Sequence, residues 1–125
     1  MIAPVFAAAA AFNLVCSIAF TSGDLSKSLA PGATSPIPSK RVYHIDLDAG
    51  RYCTEPCAST NALYAVSPKQ IVFKAEERGD LDDTLEVVDR ETGELLDRLR
   101  MFPMVLMYTG KCEAGPFTGL PAPKF

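Results

Sequence analysis

The sequence predicts an all-β fold, a small antiparallel meander of five or six strands that closes into a barrel or a sandwich after an N-terminal apolar leader. Three observations support this fold class. Short segments alternate apolar and polar residues with the period of two that half-buried strands show. Turn-forming glycine and proline residues separate these segments. Three of the four cysteines follow the leader and can cross-link a domain that is too small for a large core.

The leader comprises residues 1–22, which contain no Lys, Arg, Asp or Glu, so every charged residue of the chain follows it. Such a stretch is typical of a secretory signal peptide, with cleavage expected after Ala19 and, as alternatives, after Thr21 or Ser22. It lacks the positive charge that normally precedes the apolar region. An uncleaved membrane anchor is the second interpretation, and a buried helix is the third. A cleaved signal peptide predicts a periplasmic or secreted protein, and an uncleaved anchor predicts a membrane-anchored one.

Residues 23–40 follow the leader and contain three prolines and two glycines but few apolar side chains. This composition predicts a disordered linker. The folded β-rich domain is expected at residues 41–125. The net charge of −3 and the absence of a basic stripe argue against a nucleic-acid partner. A membrane partner is expected only if the leader stays uncleaved.

Periodicity then gives the strands in chain order. In the first predicted strand the apolar side chains of Tyr43, Ile45 and Leu47 share one face, and polar side chains occupy the other face. A turn at Gly50 follows it. The strands predicted from there onward are residues 51–53, 61–66, 70–76, 85–89, 94–101 and 104–108.

Residues 85–89 and 94–101 are predicted to form a β-hairpin, because Gly93 between them can adopt the positive φ that such a turn requires. The alternative is a helix, since the apolar residues at positions 81, 85, 88, 95 and 99 also fit a helical spacing. Thr92 and Gly93 would interrupt that helix, so the hairpin is preferred.

Three cysteines follow the leader and are the disulfide candidates: Cys53, Cys57 and Cys112. Cys16 lies within the leader. In an oxidising compartment, three cysteines form one bridge and leave one free thiol. The first and last strands of a closed meander are neighbours, so Cys112 is predicted to pair with Cys53 or Cys57. A short bridge between Cys53 and Cys57 is the alternative.

The sequence predicts no catalytic, cofactor-binding or metal-ligating residues and no cofactor. The single histidine, His44, is expected with Asp46 and Asp48 on the solvated face of its strand. One histidine and three thiols argue against a zinc site. The acidic segment 79–83 lacks the ligand spacing of a calcium loop and is interpreted as a charged turn. An enzymatic activity therefore has no support in the sequence.

Residues 110–125 resemble the ending of a group of small exported alphaproteobacterial proteins. Two segments at the start of the domain are similar to the same group: Tyr-His-Ile-Asp-Leu at residues 43–47 and Arg-Tyr-Cys at residues 51–53. The resemblance covers both ends of the domain and leaves the middle unmatched. It implies a shared fold and export, and it carries no activity, cofactor or catalytic residue.

Two functions remain. The first is a non-catalytic exported module of the periplasm or envelope that binds or inhibits another protein, a task that suits small cross-linked β-domains. The second is a small-molecule or lipid binder of the small β-barrel type. A domain of this length leaves little room for a cavity. The protein-binding or inhibitory module is therefore preferred. An apolar pocket would favour the binder, and a filled core with an exposed apolar patch would favour the protein-binding module.

Overall fold

The computed structural model describes residues 10–24, 39–79 and 82–121. These residues form nine strands and no helix, which confirms the all-β prediction but exceeds the five or six strands expected. Accordingly, no helix in the described ranges is long and apolar enough to cross a membrane. The strands are β1 (Ala11–Asp24), β2 (Ser39–Asp46), β3 (Arg51–Thr54), β4 (Asn61–Ala62), β5 (Ala65–Val66), β6 (Gln70–Gly79), β7 (Asp82–Asp89), β8 (Glu94–Met101) and β9 (Met104–Gly115).

All nine strands belong to one antiparallel sheet with the order β4-β3-β2-β1-β9-β8-β7-β6-β5. The two edge strands, β4 and β5, are separated along the chain only by Leu63 and Tyr64. The Leu63 N–H donates to the carbonyl of Gly50, and the Tyr64 N–H donates to that of Val72. One segment, residues 61–66, therefore pairs with β3 through its first half and with β6 through its second half. The sheet curls into a half-barrel, and this segment connects its two edges.

Strand β1 lies at the centre of this sheet, between β2 and β9. The side chains of Phe12, Leu14, Cys16 and Ile18 alternate along it and are all buried. The sequence predicted that residues 1–22 lie outside the domain, whereas the structure places residues 11–22 inside it. Period-two alternation is present there, but apolar residues such as Val15 also occupy the other face and hide it.

The prediction that the leader is cleaved or anchored stays a prediction. Residues 1–9 of the leader and residues 25–38 of the predicted linker lie outside the described residues. Strand β2 begins at Ser39, two residues before the start expected for the domain. With β1 included, the sheet is wider than residues 41–125 alone would make it.

The predicted hairpin at residues 85–101 is confirmed as the antiparallel pair β7 and β8. The Asp89 carboxylate accepts hydrogen bonds from the N–H groups of Glu91 and Thr92, at 2.8 and 2.9 Å. Gly93 adopts a φ of 79°, which a residue with a β-carbon rarely adopts. These hydrogen bonds and the positive φ of Gly93 form a tight turn, which rules out the alternative helix.

The concave face of the sheet, defined by the core side chains, brings residues from distant strands together. The Tyr43 ring on β2 stacks on the Phe73 ring of β6, with centroids 4.2 Å apart. Tyr52 of β3 packs against the same Phe73 ring at 4.9 Å. Each such aromatic pair contributes about 0.5–1.5 kcal/mol beyond the area it buries. The core side chains are Phe12, Leu14, Cys16, Ile18, Tyr43, Ile45, Tyr52, Ile71, Phe73, Val88, Leu95 and Cys112.

The disulfides differ from the predicted pairing. Cys112 is bonded to Cys16, and Cys53 is bonded to Cys57, so no cysteine is free. All three candidates from the sequence are bridged: the preferred bridge from Cys112 to Cys53 or Cys57 is wrong, and the alternative bridge between Cys53 and Cys57 is present. The reason is that β1 lies between β2 and β9 and supplies the partner of Cys112.

Candidate functional site: a cleft over a buried ionic network

An ionic network lies on the concave face beside the aromatic core. Arg41 and Tyr43 alternate on β2, so both side chains point to this face, while Glu86 and Asp97 are cross-strand partners on β7 and β8. The Arg41 guanidinium donates to Asp97 at 2.7 Å and to Glu86 at 3.3 Å. It also lies 3.1 Å from the hydroxyl of Tyr43, which itself donates to Glu86.

Burial sets the electrostatics of this network. Desolvation raises the pKa of Glu86 above its ordinary value, although the hydrogen bond from Tyr43 and the charge of Arg41 oppose that shift. Desolvation, together with the charge of Glu86, also raises the pKa of Tyr43. For Arg41, desolvation acts downward, but its contacts with Tyr43 and Asp97 outweigh it and raise the pKa. Arg41 is therefore a fixed cation whose charge Asp97 and Glu86 offset.

A cleft of about 400 Å³ lies next to this network on the same face. Asp97 belongs to both, because its carboxylate binds Arg41 and also lines the cleft. The Tyr108 ring forms one wall: it lies 5.0 Å from the Phe20 ring and 4.9 Å from the Arg41 guanidinium. The lining residues are Phe20, Lys74, Glu76, Thr84, Asp97, Leu99, Leu106 and Tyr108.

The strand register explains how these side chains meet. Leu99 faces Leu106 across β8 and β9, and Asp97 faces Tyr108 two residues along. On β6 a bulge between Val72 and Lys74 shifts the alternation, so that Lys74 pairs with Glu86 and joins the concave face. The cleft thus combines apolar and aromatic walls with the charged groups of Asp97 on β8 and of Lys74 and Glu76 on β6. That arrangement suits a molecule with an apolar body and a polar group.

A larger depression, of about 580 Å³, surrounds Val87, Leu96 and Thr109 elsewhere on the surface. The charged residues that line it include Glu94 and Lys111, which are exposed. Exposed charges are well hydrated and hold a ligand weakly. Lys74 and Glu76 of the smaller cleft are exposed as well, but Asp97 there belongs to the largely buried ionic network, so the smaller cleft is the better candidate.

His44 lies on the opposite, convex face, where it is 8% exposed. Its Nδ1 lies 2.6 Å from the carbonyl oxygen of Gly119, and its Nε2 lies 2.7 Å from a carboxylate oxygen of Glu55. Both partners offer acceptor oxygens, so the arrangement favours the ring that carries a proton on each nitrogen. Desolvation lowers the pKa of His44, but the bonds to Glu55 and Gly119 outweigh it and raise the pKa above its ordinary value.

The C-terminal tail, residues 116–121, explains this burial. The Asn13 amide donates to the Thr118 hydroxyl at 2.9 Å and accepts from the Thr118 N–H at 3.3 Å. These bonds, with that of His44 to Gly119, hold the tail across β1 and β2. The prediction that His44 is solvated is therefore wrong, because alternation gives the face of a strand but not what covers it.

The acidic residues singled out in the sequence do not line the cleft, and Asp80 of the acidic segment lies outside the described residues. Asp46 accepts a hydrogen bond from the Ala49 N–H at 3.0 Å in the β2–β3 turn, and Asp48 is exposed. Asp83 forms ion pairs with Arg98, at 3.4 Å, and with Arg100. These are structural contacts of turns and strands.

Sequence reasoning missed Arg41, Glu86 and Asp97. A weak signal for each exists on strands whose alternate positions are apolar: Arg41 stands two residues before Tyr43, Glu86 two residues before Val88, and Asp97 two residues after Leu95. A charged residue at an inward position is rare unless it is paired. The sequence does not show which opposite charge completes the pair, because the partners lie 45 and 56 residues away.

Comparisons of the chain with protein-family models, with curated proteins and with solved structures find no match. Its class is therefore defined by its own features: an all-β chain with one curled antiparallel sheet, two disulfides and a concave cleft over an ionic network.

Proposed function

We propose that the protein is an exported, non-catalytic binder of a small amphiphilic molecule, such as a lipid, of the small β-barrel type. The observation that carries this proposal is the cleft itself: apolar walls at Leu99, Leu106 and Tyr108 meet charged groups at Asp97 and Lys74. Curled sheets of about eight strands are just wide enough to hold one small ligand. The inclusion of β1 removes the objection that the domain is too short for a cavity.

The ionic network supports a polar end for the ligand. Arg41, Glu86 and Asp97 are held by one another and by Tyr43, so they are already ordered before a ligand enters. Pre-ordered polar groups cost little entropy on binding and orient the ligand. The apolar walls then supply most of the binding free energy by burying the ligand's hydrocarbon part.

Export is supported by the two disulfides, which are typical of proteins from an oxidising compartment. A periplasmic or secreted location agrees with the resemblance to small exported proteins. The non-catalytic character is supported by the position of His44, which lies on the face opposite the cleft and is fully hydrogen-bonded there.

The test is fluorescence titration with environment-sensitive amphiphiles that carry an anionic, a cationic or a neutral head group. We expect at least one of them to bind saturably with one molecule per chain. Leu99→Glu places a charge on the cleft wall and should weaken that binding by about tenfold or more, because the buried carboxylate must be desolvated. Leu96→Glu is the matched control: it lies on the same strand with similar burial, but faces the other side.

Equal affinity in Leu99→Glu and Leu96→Glu, with both variants folded by circular dichroism, would show that the cleft is not the binding site. Failure of all three probes to bind saturably would reject the small-molecule function.

The second candidate is the protein-binding or inhibitory module of the envelope. It is favoured by the tip of the β8–β9 hairpin, where Met101, Phe102 and Met104 are exposed by 45%, 50% and 43%. Large apolar side chains at an exposed turn are typical of contact sites. Pull-down from envelope extracts with the wild-type chain and with Phe102→Ser tests it. A partner retained by the wild type and lost with the variant supports this function, whereas equal recovery contradicts it.

A further inference from the structure

The second chemical cluster of the molecule lies on the convex face, away from the cleft. His44 on β2 stands directly opposite Cys53 on β3 in the strand register, so both side chains share this face. Cys57 follows in the next turn and is bonded to Cys53. The ligand atoms of His44, Cys53 and Cys57 all lie within 4.8 Å of one another.

Glu55 lies between the two cysteines in the sequence, and its half-exposed side chain contacts the histidine of this three-residue cluster. One of its carboxylate oxygens is 2.7 Å from Nε2 of His44. Two sulfurs, an imidazole and a carboxylate are the donor types that four-coordinate zinc takes in proteins. The spacing of the two cysteines, with three residues between them, also lies within the usual range for zinc ligands on one loop.

His44 already has the outer contact that metal-binding histidines show. Its Nδ1 donates to the carbonyl of Gly119 at 2.6 Å, which fixes the ring and leaves Nε2 directed toward Glu55. A hydrogen bond of this kind, from the nitrogen that does not bind the metal, orients the ring and makes it a better ligand.

We propose that reduction of the Cys53–Cys57 disulfide opens a site for a thiophilic divalent cation such as Zn²⁺, with Cys53, Cys57 and His44 as ligands and with the Glu55 carboxylate, once it leaves Nε2 of His44, as the fourth. In the oxidised protein the two sulfurs are bonded to each other, so the site is closed. A reduced site needs sulfur–metal distances of about 2.3 Å and nitrogen–metal distances of about 2.0 Å, which places the two sulfurs roughly 3.8 Å apart. Breaking the bond allows the sulfurs to separate to that distance.

The chemistry balances in two steps. A dithiol donor supplies two electrons and two protons: the Cys53–Cys57 bond breaks, two cysteine thiols form, and the donor becomes a disulfide. Zn²⁺ then displaces one proton from each thiol and one from Nε2 of His44, while the Nδ1 proton remains bonded to Gly119.

The two disulfides differ in their access to a reductant. Cys57 is half-buried in a surface turn, whereas Cys16 is fully buried and Cys112 is 4% exposed. Attack on a disulfide requires that the reductant reach a sulfur, so Cys53–Cys57 is expected to open first. The Cys16–Cys112 bond then keeps β1 and β9 joined while the site is open.

The experiment compares oxidised and phosphine-reduced protein, using Co²⁺ as the spectroscopic probe and Zn²⁺ as the competitor. Alkylation and peptide mapping first establish which thiols are free. We expect the reduced protein to bind one Co²⁺ with thiolate-to-metal charge-transfer absorption, and Zn²⁺ to displace it. The oxidised protein should show no such absorption. His44→Ala and the Cys53→Ser/Cys57→Ser double variant should bind at least about 100-fold more weakly, and Glu55→Gln about tenfold more weakly.

A Cys16→Ser/Cys112→Ser double variant is the control that keeps the proposed ligands; it is expected to be less stable, and under conditions where circular dichroism shows that it is folded it should bind as the reduced wild type does. The proposal is overturned if protein with free thiols at Cys53 and Cys57 binds no metal, or if Cys53→Ser/Cys57→Ser binds as tightly as the wild type. If reduction unfolds the chain, recovery of the β spectrum on adding Zn²⁺ supports the proposal, and failure to recover it counts against it.

Discussion

Cys16 lies directly opposite Cys112 across strands β1 and β9, with their Cα atoms 3.9 Å apart and a disulfide between them. Only the narrower of the two pair types in an antiparallel ladder brings Cα atoms near this distance. The bond therefore joins the middle of the first strand to the last strand, 96 residues later in the chain. It fixes β1 as the central strand of the sheet.

The two disulfides should differ in their contribution to stability. In the chain-entropy model, a bond that closes a loop of nearly the whole chain contributes about 4.7 kcal/mol, and one that closes a loop of five residues contributes about 2 kcal/mol. We expect Cys16→Ala/Cys112→Ala to lower the free energy of unfolding by about twice as much as Cys53→Ala/Cys57→Ala. Urea unfolding measures both values. An equal or reversed order would mean that the long bridge is absent or strained.

The N-terminal strand should be essential for folding. Deletion of residues 1–19, which corresponds to the predicted cleavage, removes the buried Phe12, Leu14 and Ile18 side chains and leaves Cys112 without its partner. We expect this variant to lose cooperative thermal unfolding. Deletion of residues 1–9 keeps every described strand and serves as the control. Cooperative unfolding of both variants at one temperature would show that β1 is dispensable and would support cleavage after Ala19.

Gly110 should tolerate no side chain. It lies opposite Ile18 in the β1–β9 pair, and a β-carbon there would overlap the backbone oxygen of Ser17. We expect Gly110→Ala to destabilise the fold by about 3 kcal/mol or more, because the two central strands must separate. Gly115→Ala is the control on the same strand, since a β-carbon there meets no atom within 4 Å. Similar unfolding midpoints for both variants would contradict the close approach of β1 and β9.

Glu86 should make stability depend on pH. Burial raises its pKa in the folded state above the ordinary value of 4.5, so the folded state holds the proton more tightly than the unfolded chain does. The contribution of Glu86 to the free energy of unfolding is therefore complete below the ordinary pKa of 4.5, and it is lost as the pH rises through the pKa of the folded state. Glu86→Gln removes this dependence.

The measurement is the melting temperature of the wild type and of Glu86→Gln from pH 4 to pH 8. We expect the melting temperature of Glu86→Gln to rise relative to that of the wild type as the pH rises. Glu94→Gln, which removes the same charge from an exposed position, is the control. If the melting temperature of Glu86→Gln relative to the wild type stays constant or falls as the pH rises, the direction of the pKa shift of Glu86 is contradicted.

Local periodicity predicted much of the sheet but not its width. The hairpin around Gly93 follows from turn chemistry and alternation within a few residues, and the structure confirms it. Strand β1 was missed because its apolar residues occupy both faces, which is also how the apolar region of a signal peptide looks. Pairing of β1 with β9 depends on contacts between distant parts of the chain, which local patterns do not reveal.

The cleft was harder to predict than the strands. Strict alternation from Ile71 would place Lys74 on the convex face, but the bulge after Val72 turns it toward Glu86. Ionic partners such as Arg41 and Asp97 come from different parts of the chain and meet only after the sheet curls. Similarly, Cys112 could not be paired correctly while Cys16 was assigned to a leader.

The double role of residues 61–66 has a consequence for colloidal behaviour. Exposed sheet edges carry unpaired N–H and C=O groups, on which strands of other molecules can grow into fibrils. In the described part of this chain, both edges are two-residue strands that follow each other along one bent segment. So short and bent a segment offers little straight backbone itself, but β5 pairs with β6 only at Ile71 and Val72, so the outer side of β6 beyond Val72 is not paired with β5. Addition of a strand from a second molecule is therefore expected along that part of β6 and not at β4 or β5.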